Sequence, residues 1–399
     1  MLKIRFGWIQ EFDKYVFNYV MFHLFLFHLV IVKHLFANNF FMLDTFRLSS
    51  QLLKIFTEHI DYVYSIDFST FDDGQFICSG SFDNTVRVLD AETNKQIRSL
   101  NTHPDWAYCV KFSPYHYRTN HRNVVCSSSN DKTIRFWDIK DDQPFQTFKE
   151  HTSWVGGIEF SPFNGGRYLC SGSGDKTIRL WDVETYKSLH VFNGHTSGIW
   201  CVAISPLQSN NKNDNSKSSN IGVIGGNGYT ICSGSHDKTI CIWDIETTKQ
   251  MIIFNSHENV VRSVKYGSNE LGINGGANTI LSGAEDTSVR LWDIRSGQQI
   301  QVFNGHTNEV WAVEYSPFVV NNIEVGHSSN VICSGSRDNT IRFWDIRSNK
   351  SELHMIKDYN GILCLNFFQL KNNTKNKDER GYGINLCYGS FKGPICIWG

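Results

Sequence analysis

The residues of this chain whose chemistry first invites a functional reading are six histidines and six aspartates. His59, His103, His151, His195, His257 and His306 each stand ahead of an aspartate, namely Asp83, Asp131, Asp175, Asp237, Asp286 and Asp338. Imidazole and carboxylate are transition-metal ligands and the usual partners in general acid–base catalysis. Their spacing argues against both uses, because one histidine and one aspartate recur per unit of roughly fifty residues, which spreads them over the molecule. The eleven cysteines read the same way. Cys78, Cys126, Cys170, Cys232, Cys333 and Cys387 share one place in the repeat, Cys109, Cys201 and Cys364 a second, and Cys241 and Cys396 a third. Equivalent places in different units are too far apart for disulfides, so the thiols are expected to be small buried apolar groups in a reducing compartment. No cysteine stands apart as a nucleophile, and no phosphate-binding glycine loop, nucleophile elbow or clustered metal-ligand set is present. No cofactor, no metal and no catalytic residue is therefore expected.

The elements that must position these residues follow from the arithmetic. The sequence Asp-Xaa-Thr-Ile-Arg-Xaa-Trp-Asp recurs, ending at Trp137, Trp181, Trp243, Trp292 and Trp344 followed by aspartate, with degenerate copies at Leu89-Asp90 and Trp398-Gly399. The tryptophan position always lies 6 residues after the anchor aspartate and 14 before the next histidine. The histidine-to-aspartate distance varies from 24 (His59 to Asp83) to 42 (His195 to Asp237), so length variation is confined to one connection per unit, where a loop leaves the packed body. Residues 178–181 and 158–160 alternate with the period of a strand, and Asp175-Lys176 and Asp338-Asn339 carry tight-turn chemistry. Each of seven units thus predicts four short strands and no helix.

On these anchors residues 51–399 resemble a WD-repeat β-propeller, similar to the G-protein β-subunit superfamily. The resemblance implies an all-β, seven-bladed propeller of four-stranded antiparallel blades, spanning 45–399 after a hydrophobic extension over 1–44. Gln51–Phe56 aligns with Lys187–Phe192, an outer strand, so the N-terminal strand is expected to complete the last blade and protect its edge. In the family, histidine, aspartate, a strand serine and tryptophan form a hydrogen-bonded tetrad in each blade, which assigns all the anchors above a structural role. In the seventh unit Asp358 stands at the histidine place and Lys392 at the aspartate place.

The family also implies a partner-binding face around the central channel, carried by two places flanking the start of the inner strand and one preceding the tetrad aspartate. Here the first two hold Tyr62, Tyr64, Trp106, Tyr108, Trp154, Trp200, Arg262, Glu309 and Trp311. The third holds Phe82, Asn130, Gly174, His236, Glu285, Arg337 and Phe391. Tryptophan, tyrosine and arginine dominate binding hot spots, and the alternative for each aromatic is packing between inner strands. The expected function is a non-catalytic protein-interaction scaffold, a monomeric propeller within a multiprotein complex, that takes peptide or loop segments. A reader subunit of a ubiquitin-ligase or methyltransferase complex, with Glu285 and Glu309 receiving a basic side chain, is the alternative, and a propeller enzyme using Glu285 or His236 a more distant one. With 38 basic against 39 acidic residues and no basic stripe, nucleic acid is not an expected partner. Membrane contact is expected only through Tyr15–Val32, an uncharged run at the length threshold for a membrane helix, interrupted by Asn18, His23 and His28. A membrane anchor, a helix lying on a surface and a spurious extension all stay open for it. The location is expected to be intracellular, cytoplasmic or nuclear, and membrane-tethered if that segment is an anchor. Ser209–Asn227 and Asn372–Gly383 read as solvated loops.

Overall fold

A computed structural model describes residues 41–69, 74–100, 103–205, 229–267, 279–319, 331–348, 352–369 and 384–399. The 15–32 run and the two loop inserts lie outside these residues. Among the described residues no helix is long and apolar enough to cross a membrane.

Seven four-stranded antiparallel sheets follow one another along the chain. Their inner strands are Val63–Ser69, Ala107–Phe112, Val155–Phe160, Ile199–Ile204, Val261–Tyr266, Val310–Tyr315 and Ile362–Gln369. The first six blades are contiguous in sequence. The seventh takes its outer strand from the other end of the chain, where Leu52–Phe56 pairs antiparallel with Ile395–Trp398. The backbones of Gln51 and Gly399 exchange hydrogen bonds at 3.1 and 3.2 Å and extend the pairing by one residue. The closure expected from the alignment of Gln51–Phe56 is therefore present.

Both faces of a blade are covered by its neighbours, so the second strand is buried along its whole length, as in Tyr168–Ser173. Only small residues allow that approach: a Cβ on Gly172 would fall 2.6 Å from Cγ2 of Ile199 in the next blade. An N-terminal clip adds to the frame. Phe41–Met42 pairs in parallel with Phe318–Val319. The helix Leu43–Ser49 that follows buries Leu43 and Phe46 with Phe318 and Phe343 of blade six and Leu386 of blade seven.

The tetrad appears as a directed relay. In blade three the Trp181 indole donates to Ser171 Oγ at 2.8 Å, Ser171 Oγ lies 2.8 Å from His151 Nε2, and His151 Nδ1 lies 2.8 Å from Asp175 Oδ2. The indole can only donate and the carboxylate only accept, so the serine hydroxyl donates to Nε2 and the imidazole proton sits on Nδ1. Asp175 Oδ1 takes the Thr177 amide at 3.0 Å and its hydroxyl at 2.6 Å, closing the hairpin turn. Blades two, four, five and six repeat the relay with Trp137, Trp243, Trp292 and Trp344. Blade one keeps His59, Ser79 and Asp83, with a buried Leu89 where the indole would stand.

Blade seven rewires the relay. Trp398 Nε1 donates to the Tyr388 hydroxyl at 3.3 Å, and that hydroxyl donates to Asp358 at 2.6 Å. Tyr388 occupies the serine place, and its ring spans the distance that serine and histidine cover elsewhere.

Three predictions follow from this packing. Phe56 is 3% exposed between blades one and seven while its neighbour Ile55 is 53% exposed. Phe56→Ala should cost about 3–5 kcal/mol in denaturant unfolding and Ile55→Ala less than about 1 kcal/mol; equal effects would refute the closing role of this strand. Tyr388→Phe strips the donor from Asp358 and the acceptor from Trp398 and should cost about 1–3 kcal/mol. The third concerns pH. Burial works against the Asp131 carboxylate, but hydrogen bonds from His103 and Thr133 pull it down to about 2. Burial also lowers His103 and His257 below the ordinary 6.5, outweighing their aspartate partners. Both depressed groups stabilise the fold above their ordinary values and lose that contribution as pH falls. Stability should therefore decline in two stages, first below pH 6.5 as His103 and His257 resist protonation, then below about pH 4 as the aspartates do. A flat unfolding free energy between pH 7 and 3 would contradict this.

Candidate functional site

The site is positioned by one recurrent irregularity. Each inner strand breaks register with its neighbour at its start, between Val63 and Ser65, Ala107 and Cys109, Ile199 and Cys201, Val261 and Ser263, Val310 and Ala312, and Ile362 and Cys364. Such a β-bulge leaves one residue unpaired and re-aims its side chain. The residues in the breaks are Tyr64, Tyr108, Trp200, Arg262, Trp311 and Leu363. In blade three the break holds Gly156 and Gly157.

A second device fixes the remaining places. In every blade the residue preceding the tetrad aspartate, or its lysine replacement in blade seven, donates its amide to the loop ahead of the inner strand. Examples are Phe82 to Tyr62 O at 3.0 Å, Asn130 to Trp106 O at 2.9 Å and Arg337 to Glu309 O at 2.9 Å.

The bulged side chains meet across the channel axis. Tyr64 lies 5.9 Å from Trp200 and 5.6 Å from Trp311, ring centre to ring centre, and Tyr108 lies 5.2 Å from Trp200. The Arg262 guanidinium sits 4.3 Å from the Trp200 ring centre and 4.0 Å from that of Trp311, and its Nε donates to Glu285 at 2.7 Å. Trp311 donates to Glu309 at 2.9 Å, and Arg337 pairs with the same carboxylate at 3.4 Å. His236 stands against Trp154 and Trp200, and burial followed by the Arg262 charge lowers its pKa. Trp154 is slotted over glycines: a Cβ on Gly198 would come 2.7 Å from its indole, and one on Gly174 closer still. On the far side Phe391, Tyr62, Phe82 and Trp106 form an arc, with Tyr62 stacked on Phe82 at 5.3 Å and Phe82 on Trp106 at 4.1 Å.

All sixteen residues marked in the sequence thus gather on one face, in two layers. Trp311 and Tyr108 are 8% and 9% exposed and belong to a plug, where burial pushes the Tyr108 hydroxyl up to about 12. Trp106 is 39% exposed and Arg337 is exposed, so these offer surface. Glu285 and Glu309 are both paired with arginine.

Sequence reasoning missed what lies under the plug. A cavity of about 150 Å³ runs along the axis, and the inner strands line it with a charged belt. Lys111 pairs with Glu159 at 2.9 Å and Lys265 with Glu314 at 2.7 Å. Asp67 accepts the Phe112 amide at 2.9 Å, and burial pushes its carboxyl up. The signal was available: Asp67, Lys111, Glu159, Lys265 and Glu314 share one place in otherwise apolar strands.

Among the described residues no three histidine, cysteine or acidic side chains are grouped to hold a metal. The thiols are unbonded, and burial raises those of Cys78, Cys126, Cys170, Cys232, Cys333 and Cys387 well above the usual value, away from nucleophilic use.

Comparison with known proteins agrees with this geometry. The family described as WD domain, G-beta repeat, matches residues 50–90, 94–138, 142–182, 186–244, 248–293 and 297–345, more than half the chain. The seventh unit, with its replaced anchors, lies beyond the matched ranges. The peroxisomal targeting signal 2 receptors of Homo sapiens and Mus musculus are each 33% identical over 63 residues, 16% of this chain and 20% of the receptor. The match thus spans a fifth of the length of these relatives.

The two layers predict different mutational behaviour. Trp311→Ala should destabilise the fold by about 3–5 kcal/mol, whereas Trp106→Ala should change stability by less than about 1 kcal/mol, as measured by denaturant unfolding. Comparable losses would refute the division into plug and surface.

Proposed function

This chain belongs to the WD-repeat family, and on that premise we propose that it is a non-catalytic scaffold that binds peptide or loop segments of other proteins on the aromatic face, within a multiprotein complex. The observation that carries the reading is the layered face itself. A rigid plug of side chains from several blades supports an exposed arc of stacked rings, which supplies amphipathic contact area with little rotamer entropy left to lose. Buried thiols on six of the seven blades support an intracellular setting. The short similarity to proteins named as receptors for a targeting signal fits a binding role and says nothing of which partner is bound. Both carboxylates that a basic-tail reader would use on the plug side, Glu285 and Glu309, are occupied by arginines, so the scaffold reading is preferred.

The test is comparative affinity purification from cells with the full chain and its Trp106→Ala variant. The expected result is loss of a defined set of partners from the variant, corresponding to at least about 2 kcal/mol of binding energy, with an unchanged unfolding curve. Identical, non-empty partner lists would move recognition away from the aromatic face.

A further inference from the structure

The place two residues after the tetrad histidine differs systematically around the disc. It holds Asp61 in blade one and Asp105 in blade two, then Ser153, Ser197, Asn259, Asn308 and Asn360. The two carboxylates stand beside Tyr62, which is half-buried, and Trp106, which is the exposed ring of the aromatic arc. Each is pinned by neutral groups. Asp61 Oδ1 accepts the Tyr62 amide at 2.8 Å. Asp105 Oδ1 accepts the Trp106 amide at 2.9 Å, and Oδ2 accepts the Asn130 side-chain amide at 2.6 Å. Asn130 is held in turn by the Tyr108 hydroxyl, which donates to it at 3.2 Å. Neither aspartate is in an ion pair among the described residues, whereas Glu285 and Glu309 on the opposite arc are each neutralised by an arginine.

We propose that the arc of blades one and two is a docking site for a cationic side chain, arginine or lysine, of a partner peptide, with Trp106 as its platform and Asp61 and Asp105 as its counter-charges. The inference rests on the peptide-binding reading above and adds the chemistry of the residue recognised. Phe82 covers one face of the Trp106 indole, and the residue remains 39% exposed. A guanidinium or ammonium on the open face is drawn by the ring quadrupole and by a carboxylate already fixed in place. A neutral or acidic segment laid over the same arc would cover two carboxylates without compensating them, which selects against it.

The test uses the immobilised full chain and four pools of degenerate peptides of equal length, with the central residue fixed as Arg, Lys, Gln or Glu. The Arg and Lys pools should be retained at least about tenfold better than the Gln and Glu pools. That preference should disappear in the Asp61→Asn, Asp105→Asn double variant, which keeps the neutral hydrogen bonds to backbone, and retention of the Arg pool should fall in Trp106→Ala. Equal retention of all pools, retention of none, preference for Glu, or survival of the Arg preference in the double variant would each overturn the proposal. Failure here is separable from failure of the scaffold reading. If cellular partners still vanish from Trp106→Ala while the pools show no charge preference, the face binds peptides without reading a cation. If Trp106→Ala alters neither readout, both conclusions fall.

Discussion

Six of the seven blades depend on an aspartate taken largely out of water and given enough donors to stay charged. In blade three one oxygen of Asp175 accepts from His151 and the Thr152 amide, the other from Thr177. A carboxylate so placed and left unpaired would cost more than any single packing contact returns. Satisfying it joins the loop that opens a blade to the hairpin between its two central strands. The residues flanking the inner strand ride on the first of these and the residue before the aspartate rides on the second. The same bond that makes the blade cohere therefore sets the distance between Tyr62 and Phe82, or between Trp106 and Asn130. The fold and the layout of the aromatic face share one constraint, and the residues on that face differ from blade to blade while the framework beneath them repeats.

The bulge is the second half of this arrangement. Regular pairing would send the second residue of each inner strand between blades. Skipping one residue turns Tyr64, Tyr108, Trp200, Arg262 and Trp311 towards the axis instead, and their contacts close the mouth of the channel. Arg262 gathers the plug, since it faces two indoles and a carboxylate at once. Below it, ion pairs between neighbouring blades keep the charges of the axis satisfied.

The blade count, the tetrads and the closing strand were legible in the sequence because each is tied to a fixed spacing, such as the 14 residues from Trp181 to His195. The places of the top-face residues were legible through the family resemblance, but their depth was not. Trp106 and Trp311 stand at different places of the repeat, 3 residues after His103 and 5 after His306, but spacing does not say which place is buried. Only the bulge, a departure from the period-two pattern that strand reading assumes, sends Trp311 inward and leaves Trp106 on the rim. Tyr388 was missed for a related reason. The replacement of histidine by Asp358 and of aspartate by Lys392 reads as a lost tetrad until a longer hydroxyl is seen to bridge the gap. The helix Leu43–Ser49 had no repeat to announce it, and its burial of Leu43 and Phe46 is a tertiary contact with blade six.

The parallel pairing of Phe41 with Phe318 has a practical bearing on orientation. Phe318 follows the inner strand Val310–Tyr315, whose start carries Trp311 at the channel mouth. Phe41 consequently sits on the underside of the disc, away from Trp106. An attachment made at this strand itself would hold the protein from below and leave the aromatic arc facing outward.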